Sequence, residues 1–104
     1  MSGNATDPGI RQLLGSQQAR LLSVLPVGAD WAHWEMHPAG DEILLMLAGT
    51  ATFVLDLPDG LKEVALGAGR LVVIPSGVWH TAKVREPGRL LALTAGSGTQ
   101  HRPA

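Results

Sequence analysis

Cysteine is absent from the 104-residue chain. Its absence excludes a disulfide framework, a thiolate zinc site and cysteine nucleophilic catalysis, and it confines any bound metal to nitrogen and oxygen donors. Charge is scarce as well: Asp, Glu, Lys and Arg make up 16% of the residues, and the formal net charge is -1. The 8 Lys and Arg are scattered and form no basic stripe to neutralise phosphates, which argues against a nucleic-acid partner. No apolar run approaches the roughly 20 residues of a membrane helix. The opening MSGNATDPGIRQ also lacks the basic start and apolar segment of a secretory signal. A soluble, cytoplasmic protein with no membrane partner is therefore expected. No segment holds a helical period over ten residues, and neither a fixed repeat nor a linker divides the chain.

What is present is an apolar fraction of 45%, ample for a packed core and against disorder of the whole chain. A single domain of this length lies near the lower end of the usual range, so stability is expected to lean on a second copy. Residues 1–18 read as a polar, Gly/Pro-containing arm, within which IRQLLGS (residues 10–16) suits either a helical turn or an edge segment. Residues 19–27 (ARLLSVLPV) form a short apolar strand whose Pro26 marks its end or a sheet edge. Gly28, Ala29 and Asp30 then turn the chain.

Strands follow at residues 31–37, 42–48 and 50–57. Pro58-Asp59-Gly60 is a hairpin signal, with residues 61–66 (LKEVAL) returning. Beyond the turn Gly67-Ala68-Gly69 come an apolar strand at residues 71–74, the turn Pro75-Ser76-Gly77, and an alternating strand at 78–85. That alternation puts Val78, His80, Ala82 and Val84 on one face, with Trp79, Thr81, Lys83 and Arg85 on the other. Glu86-Pro87-Gly88 reads as another turn, residues 89–95 as the last strand, and residues 96–104 as a polar, flexible tail. Some eight short strands punctuated by Gly, Pro and Asp indicate an all-β sandwich or barrel. Leu44, Met46, Phe53, Val54, Val72 and Ile74 are its expected wall.

Two stretches carry the chemistry. In WAHWEMHPAGDEILLMLAG (residues 31–49), His33, Glu35 and His37 alternate and therefore share one strand face. Three polar, ligating side chains on one face of an apolar segment are hard to explain as packing. Ala32, Trp34 and Met36 occupy the opposite face, where they need cover from the chain itself or from a second subunit. Trp79 is likewise a core or interface residue. The second stretch, GRLVVIPSGVWH (residues 69–80), delivers His80 just past a turn.

These stretches resemble the paired motifs of the cupin superfamily, double-stranded β-helix (jelly-roll) barrels that commonly hold a divalent metal. The first motif, G(X)5HXH(X)3-4E(X)6G, is matched by His37, Glu42 and Gly49 at its spacings. The second, G(X)5PXG(X)2H(X)3N, is matched by Gly69, Pro75, Gly77 and His80. Three positions depart from the pattern: Glu35 stands at the first histidine, Ala29 at the opening glycine with Gly28 one residue early, and Val84 at the final asparagine.

The resemblance implies a jelly-roll barrel over residues 19–95, commonly a homodimer, with Glu35, His37, Glu42 and His80 as metal ligands. Such a set suits Fe(II), Mn(II), Ni(II) or Zn(II). If the barrel is an enzyme, the resemblance implies metal-dependent chemistry on a small organic molecule, with a dioxygenase first and an isomerase or lyase next. The other reading is a non-catalytic small-molecule-binding module whose metal site is vacant or weak, its side chains merely hydrogen-bonded. Glu35 has two readings as well, a direct ligand or, beside Glu42, a catalytic acid/base carboxyl. His33 lies about 13 Å along an extended strand from His37 and reads as a rim histidine or a shaper of the pocket mouth. His101 nears the site only if the tail folds over the barrel.

Overall fold

Alternating apolar residues and Gly/Pro punctuation yield seven strands and no helix over the residues that the computed structural model describes, 20–104. They are β1 (Leu21–Val27), β2 (His33–Met36), β3 (Glu42–Leu57), β4 (Gly60–Leu66), β5 (Leu71–Ile74), β6 (Trp79–Thr94) and β7 (Gln100–Pro103). Every pairing is antiparallel. The arm expected at residues 1–18, including IRQLLGS, lies outside the described residues.

The eight short strands expected from the sequence are corrected at two places. Residues 42–48 and 50–57 are one continuous strand, β3, and residues 78–85 and 89–95 merge into another, β6. Gly49 and the Glu86-Pro87-Gly88 triplet do not end strands. They sit where β3 and β6 pair through a series of register shifts between Met46 and Ala51. Bulges of this kind bend a strand and sharpen its twist without ending it. Glycine is required here by contact. A Cβ on Gly88 would lie 1.9 Å from the Ala48 carbonyl oxygen, and one on Gly49, at φ +78°, would lie 2.5 Å from the Glu86 carbonyl oxygen.

The bend divides each long strand into two arms. The first arm of β3 pairs with β5 and with the second arm of β6, and β1 extends that sheet along β6. The second arm of β3 pairs with β4 and with the first arm of β6, which carries β2 and then β7. The result is a jelly-roll barrel whose two sheets share both long strands. Pro26 is tolerated because β1 pairs with β6 alone among the described residues, leaving one side unpaired. The hairpin closes as expected, with Leu57 opposite Gly60.

Between the sheets Leu44, Met46, Phe53, Leu55, Ile74, Ala82 and Leu90 form one buried cluster, and Val72 packs against it half-buried. Val54 is buried outside that cluster. The polar tail is corrected too: residues 100–103 are a strand, paired to β2 with Glu35 opposite His101. On the outer face Arg102 lies 5.2 Å from the Trp34 ring and 4.5 Å from the Trp79 ring, and ion-pairs with Asp56 at 2.8 Å. Part of the cover that Trp34 requires therefore comes from the chain's own last strand.

Because the atoms facing Gly88 are backbone and cannot swing away, Gly88→Ala is expected to cost about 3 kcal/mol or more of stability. Gly67→Ala, which meets open space, is expected to change stability by less than about 0.5 kcal/mol. Urea denaturation of both variants checks this, and a Gly88→Ala protein as stable as Gly67→Ala would contradict the crossing's role.

Candidate metal centre

Strand register assembles the site. Across the sheet that carries β4, β2 and β7, His101 on β7, Glu35 on β2 and His80 on β6 stand in one row, so their side chains share a face. His37 follows immediately after β2, and Glu42 opens β3. Two latches hold these segments in place. The Gly77 N–H donates to the His37 carbonyl at 3.0 Å, and the Ser76 N–H donates to Asp41 Oδ1 at 2.8 Å. The turn before His80 is thereby fastened to the loop between His37 and Glu42.

Glu42 is the centre of the cluster. Its Oε1 lies 3.0 Å from His80 Nε2, and its Oε2 accepts the Thr94 hydroxyl at 2.5 Å and lies 3.2 Å from His37 Nε2. Glu35 Oε2 is 3.7 Å from His37 Nε2. All four expected residues offer donor atoms within 4.8 Å of one another, and His37, Glu42 and His80 are buried.

Hydrogen bonds set the imidazoles for ligation. His80 Nδ1 donates to the Val78 carbonyl at 2.9 Å. Thr99 gives its hydroxyl proton to the Gly96 carbonyl, so its oxygen accepts from His37 Nδ1 at 2.8 Å. In both rings Nδ1 is engaged outward and Nε2 turns into the cluster, the arrangement typical of metal-ligating histidines. His37 Nε2 is a buried nitrogen with no hydrogen-bond partner. A buried imidazole nitrogen that makes no hydrogen bond and faces two carboxylates is a feature that a cation satisfies. The separations fit as well, since donors 2.0–2.1 Å from one ion lie about 3 Å apart as octahedral neighbours.

Burial would raise the Glu42 pKa, but hydrogen bonds from His80 and Thr94, with the charges of His37 and His80, hold it below its ordinary value. Burial would lower His80, yet its bonds to Glu42 and the Val78 carbonyl, with the charges of Glu42 and Glu35, push it up. His80 and Glu42 are thus in direct contact, and a cation that took both as ligands would compete with that contact.

Glu35, His37 and Glu42 of the cluster line a cavity of about 470 Å³. Leu25, Val27, Leu44, Leu90 and Ala92 line its body, and no Lys or Arg lines it among the described residues. Sequence reasoning missed Trp31, Thr94 and Thr99. Trp31 stacks on His33 at 6.4 Å and meets Phe53 edge-on at 6.0 Å. Thr94 closes an apolar strand and Thr99 sits in a polar turn, so neither carried a local signal. His33 is at the rim, but its ring nitrogen reaches within 3.1 Å of Glu35 Oε1, and His101 within 3.3 Å. Backbone distance along the strand understated the reach of the side chain.

A family model described as the cupin domain matches residues 21–95. The chain belongs to the cupin family. No curated protein matches it. Among solved structures, it is similar to a cupin-2 domain containing protein from Shewanella frigidimarina: 23% identity, TM-score 0.60, 80% of this chain and 71% of that one covered. It also resembles hydroxypropylphosphonic acid epoxidase from S. wedmorenis in complex with fosfomycin, at 22% identity and TM-score 0.61, over 72% of this chain and 43% of the epoxidase. A third is hydroquinone 1,2-dioxygenase in complex with Cd2+ and 4-hydroxybenzonitrile, at 18% identity and TM-score 0.61, over 72% of this chain and 56% of that one. The chain thus spans about half of each enzyme, and at these identities the likeness concerns the fold. The motif departures take physical form here: Glu35 puts a carboxylate where the motif has an imidazole, and the Val84 N–H donates to Asp30 Oδ1 at 2.7 Å.

The lowered Glu42 pKa contributes stability above about pH 4.5 that is lost as pH falls through its folded value. The raised His80 pKa contributes stability below about pH 6.5 that is lost as pH rises through its folded value. Chelator-treated cupin is therefore expected to draw most stability from this pair between about pH 4.5 and 6.5. Urea midpoints across pH for wild type and His80→Gln check it: the wild-type advantage should shrink above pH 6.5, and a flat difference there would refute the pairing.

Proposed function

We propose that this cupin is a divalent-metal-dependent enzyme acting on a small organic molecule, a dioxygenase-type reaction first, an isomerase or lyase next. The observation that carries the reading is the orphaned Nε2 of His37, which faces Glu42 and Glu35 on the wall of a largely apolar cavity. His37, His80, Glu42 and Glu35 would hold the ion, and Fe(II), Mn(II), Ni(II) and Zn(II) all suit two imidazoles and two carboxylates. Bound there, a divalent ion supplies Lewis acidity and, if redox-active, one-electron chemistry.

The chain's own residues supply the rest. The Val78 carbonyl and Thr99 orient the two imidazoles, and Thr94 orients Glu42. Leu25, Val27, Leu44, Leu90 and Ala92 take the body of the substrate and exclude water from it. Two carboxylates balance a dication, and no cationic side chain lines the cavity among the described residues, so a substrate of neutral, apolar body with one oxygen-bearing end fits best. Glu35 has an alternative role: off the ion, its part-exposed carboxyl on the cavity wall would take or return a substrate proton.

A non-catalytic binding barrel is the second reading. The His80–Glu42 pair favours it, because each group satisfies the other without a metal. Elemental analysis of untagged protein separates the two. About one ion per chain is expected in wild type, falling below about a tenth in His37→Ala and His80→Ala with the barrel still folded, and Thr99→Val is expected to weaken affinity by about 10–100-fold. Wild type that retains no Fe, Mn, Ni or Zn after anaerobic loading would establish the binding barrel instead. The homodimer is also part of this reading, supported by the exposed Leu22 and Val24 on the face of β1 that does not line the cavity. Sedimentation velocity tests it, and a monomer at tens of micromolar would remove it.

A further inference from the structure

His33 and His101 are not used by the inner centre, yet both aim Nε2 at the same oxygen of Glu35, at 3.1 and 3.3 Å. They reach it from different strands: Glu35 pairs directly with His101, and His33 lies two residues before Glu35 on the same face. The three donor atoms lie within 4.8 Å of one another. We propose that His33 Nε2, His101 Nε2 and Glu35 Oε1 form a second divalent-cation site at the cavity mouth, linked to the inner centre through the Glu35 carboxylate.

Chemistry and geometry agree on this. Two imidazoles and one carboxylate form a zinc-binding set that leaves a fourth position open. Donors 2.0–2.1 Å from a tetrahedral ion lie about 3.3 Å apart, close to the two separations observed. The rings are held ready for it. His33 stacks on Trp31 and packs edge-on against His101, with centroids 4.9 Å apart, so their orientation does not rest on the carboxylate alone. Side-chain exposures of 43% for His33 and 54% for His101 leave the open position accessible to water, or to an oxygen donor on a ligand in the cavity.

Glu35 divides its oxygens between the two groups: Oε1 faces His33 and His101, while Oε2 faces His37. The bridge rests on the inner-centre reading, whereas the outer site does not. A carboxylate so divided explains why a glutamate serves where the family motif has histidine, because an imidazole nitrogen engages one ion and a carboxylate engages two.

The test is calorimetric titration of Zn2+ into the untagged, chelator-stripped full chain, with thermal unfolding to check each variant. Wild type is expected to bind two ions per chain with distinct affinities. His33→Gln and His101→Gln should each weaken only the weaker event, by at least about tenfold, and His37→Ala should remove only the tighter one. Both substituted histidines are exposed enough for the barrel to fold without them. One ion per chain in wild type, lost only in His37→Ala, would overturn the outer site and leave the inner one standing. A weaker event that survives in the His33→Gln/His101→Gln double variant would also overturn it. A single event sensitive to His33 and His101 but not to His37 would support the outer site and refute the inner reading, and no binding at all would refute both.

Discussion

The structure depends on one close backbone crossing. His80 and Thr94 are separated by fourteen residues of a single strand, about 46 Å if it were straight, yet they reach the two oxygens of one Glu42 carboxylate. That is achievable only because β6 folds over together with β3 where Ala48 and Gly49 meet Glu86, Pro87 and Gly88 without side chains on either glycine. The bend produces two sheets from two shared strands, encloses the apolar cluster, and brings both ends of β6 to the head of β3. Barrel and site are consequences of the same contact.

A buried carboxylate is costly unless it is compensated. Glu42 is almost wholly compensated: His80 on one oxygen, Thr94 on the other, and the latched Pro75-Ser76-Gly77 turn holding His80 in position. His37 is not, since its buried Nε2 faces the cluster without a hydrogen bond while Thr99 fixes the opposite side of the ring. An apolar barrel in which most polar groups are satisfied and one nitrogen is left open toward two carboxylates offers a site suited to a cation. The apolar cavity beside it is of a size to take a small molecule.

The last strand shows how composition misleads. Residues 96–104 are polar and glycine-bearing, with no apolar alternation to announce a strand. Nevertheless β7 pairs with β2, and its alternation carries a different chemistry on each face. His101 turns toward Glu35, while Arg102 lies against Trp34 and Trp79 and is anchored by Asp56. Partners more than twenty residues away hold this strand, and a local reading has no access to them.

Period-two alternation determined by itself that the protein is all-β, that His80 faces inward with Ala82, and that Leu44, Met46, Phe53 and Ile74 form the wall, because strand faces follow from residue parity alone. The likeness to the two cupin motifs implied the four residues that meet at the inner cluster. Tertiary structure alone decided that Gly49 and Gly88 are bulges rather than turns, because the distinction lies in the backbone each glycine meets and not in its neighbours in sequence. It also decided that Thr94 and Thr99 orient Glu42 and His37, and that His33 and His101 share an oxygen of Glu35. Those contacts arise from register between strands distant in the chain, and register is set by pairing partners that no single segment contains.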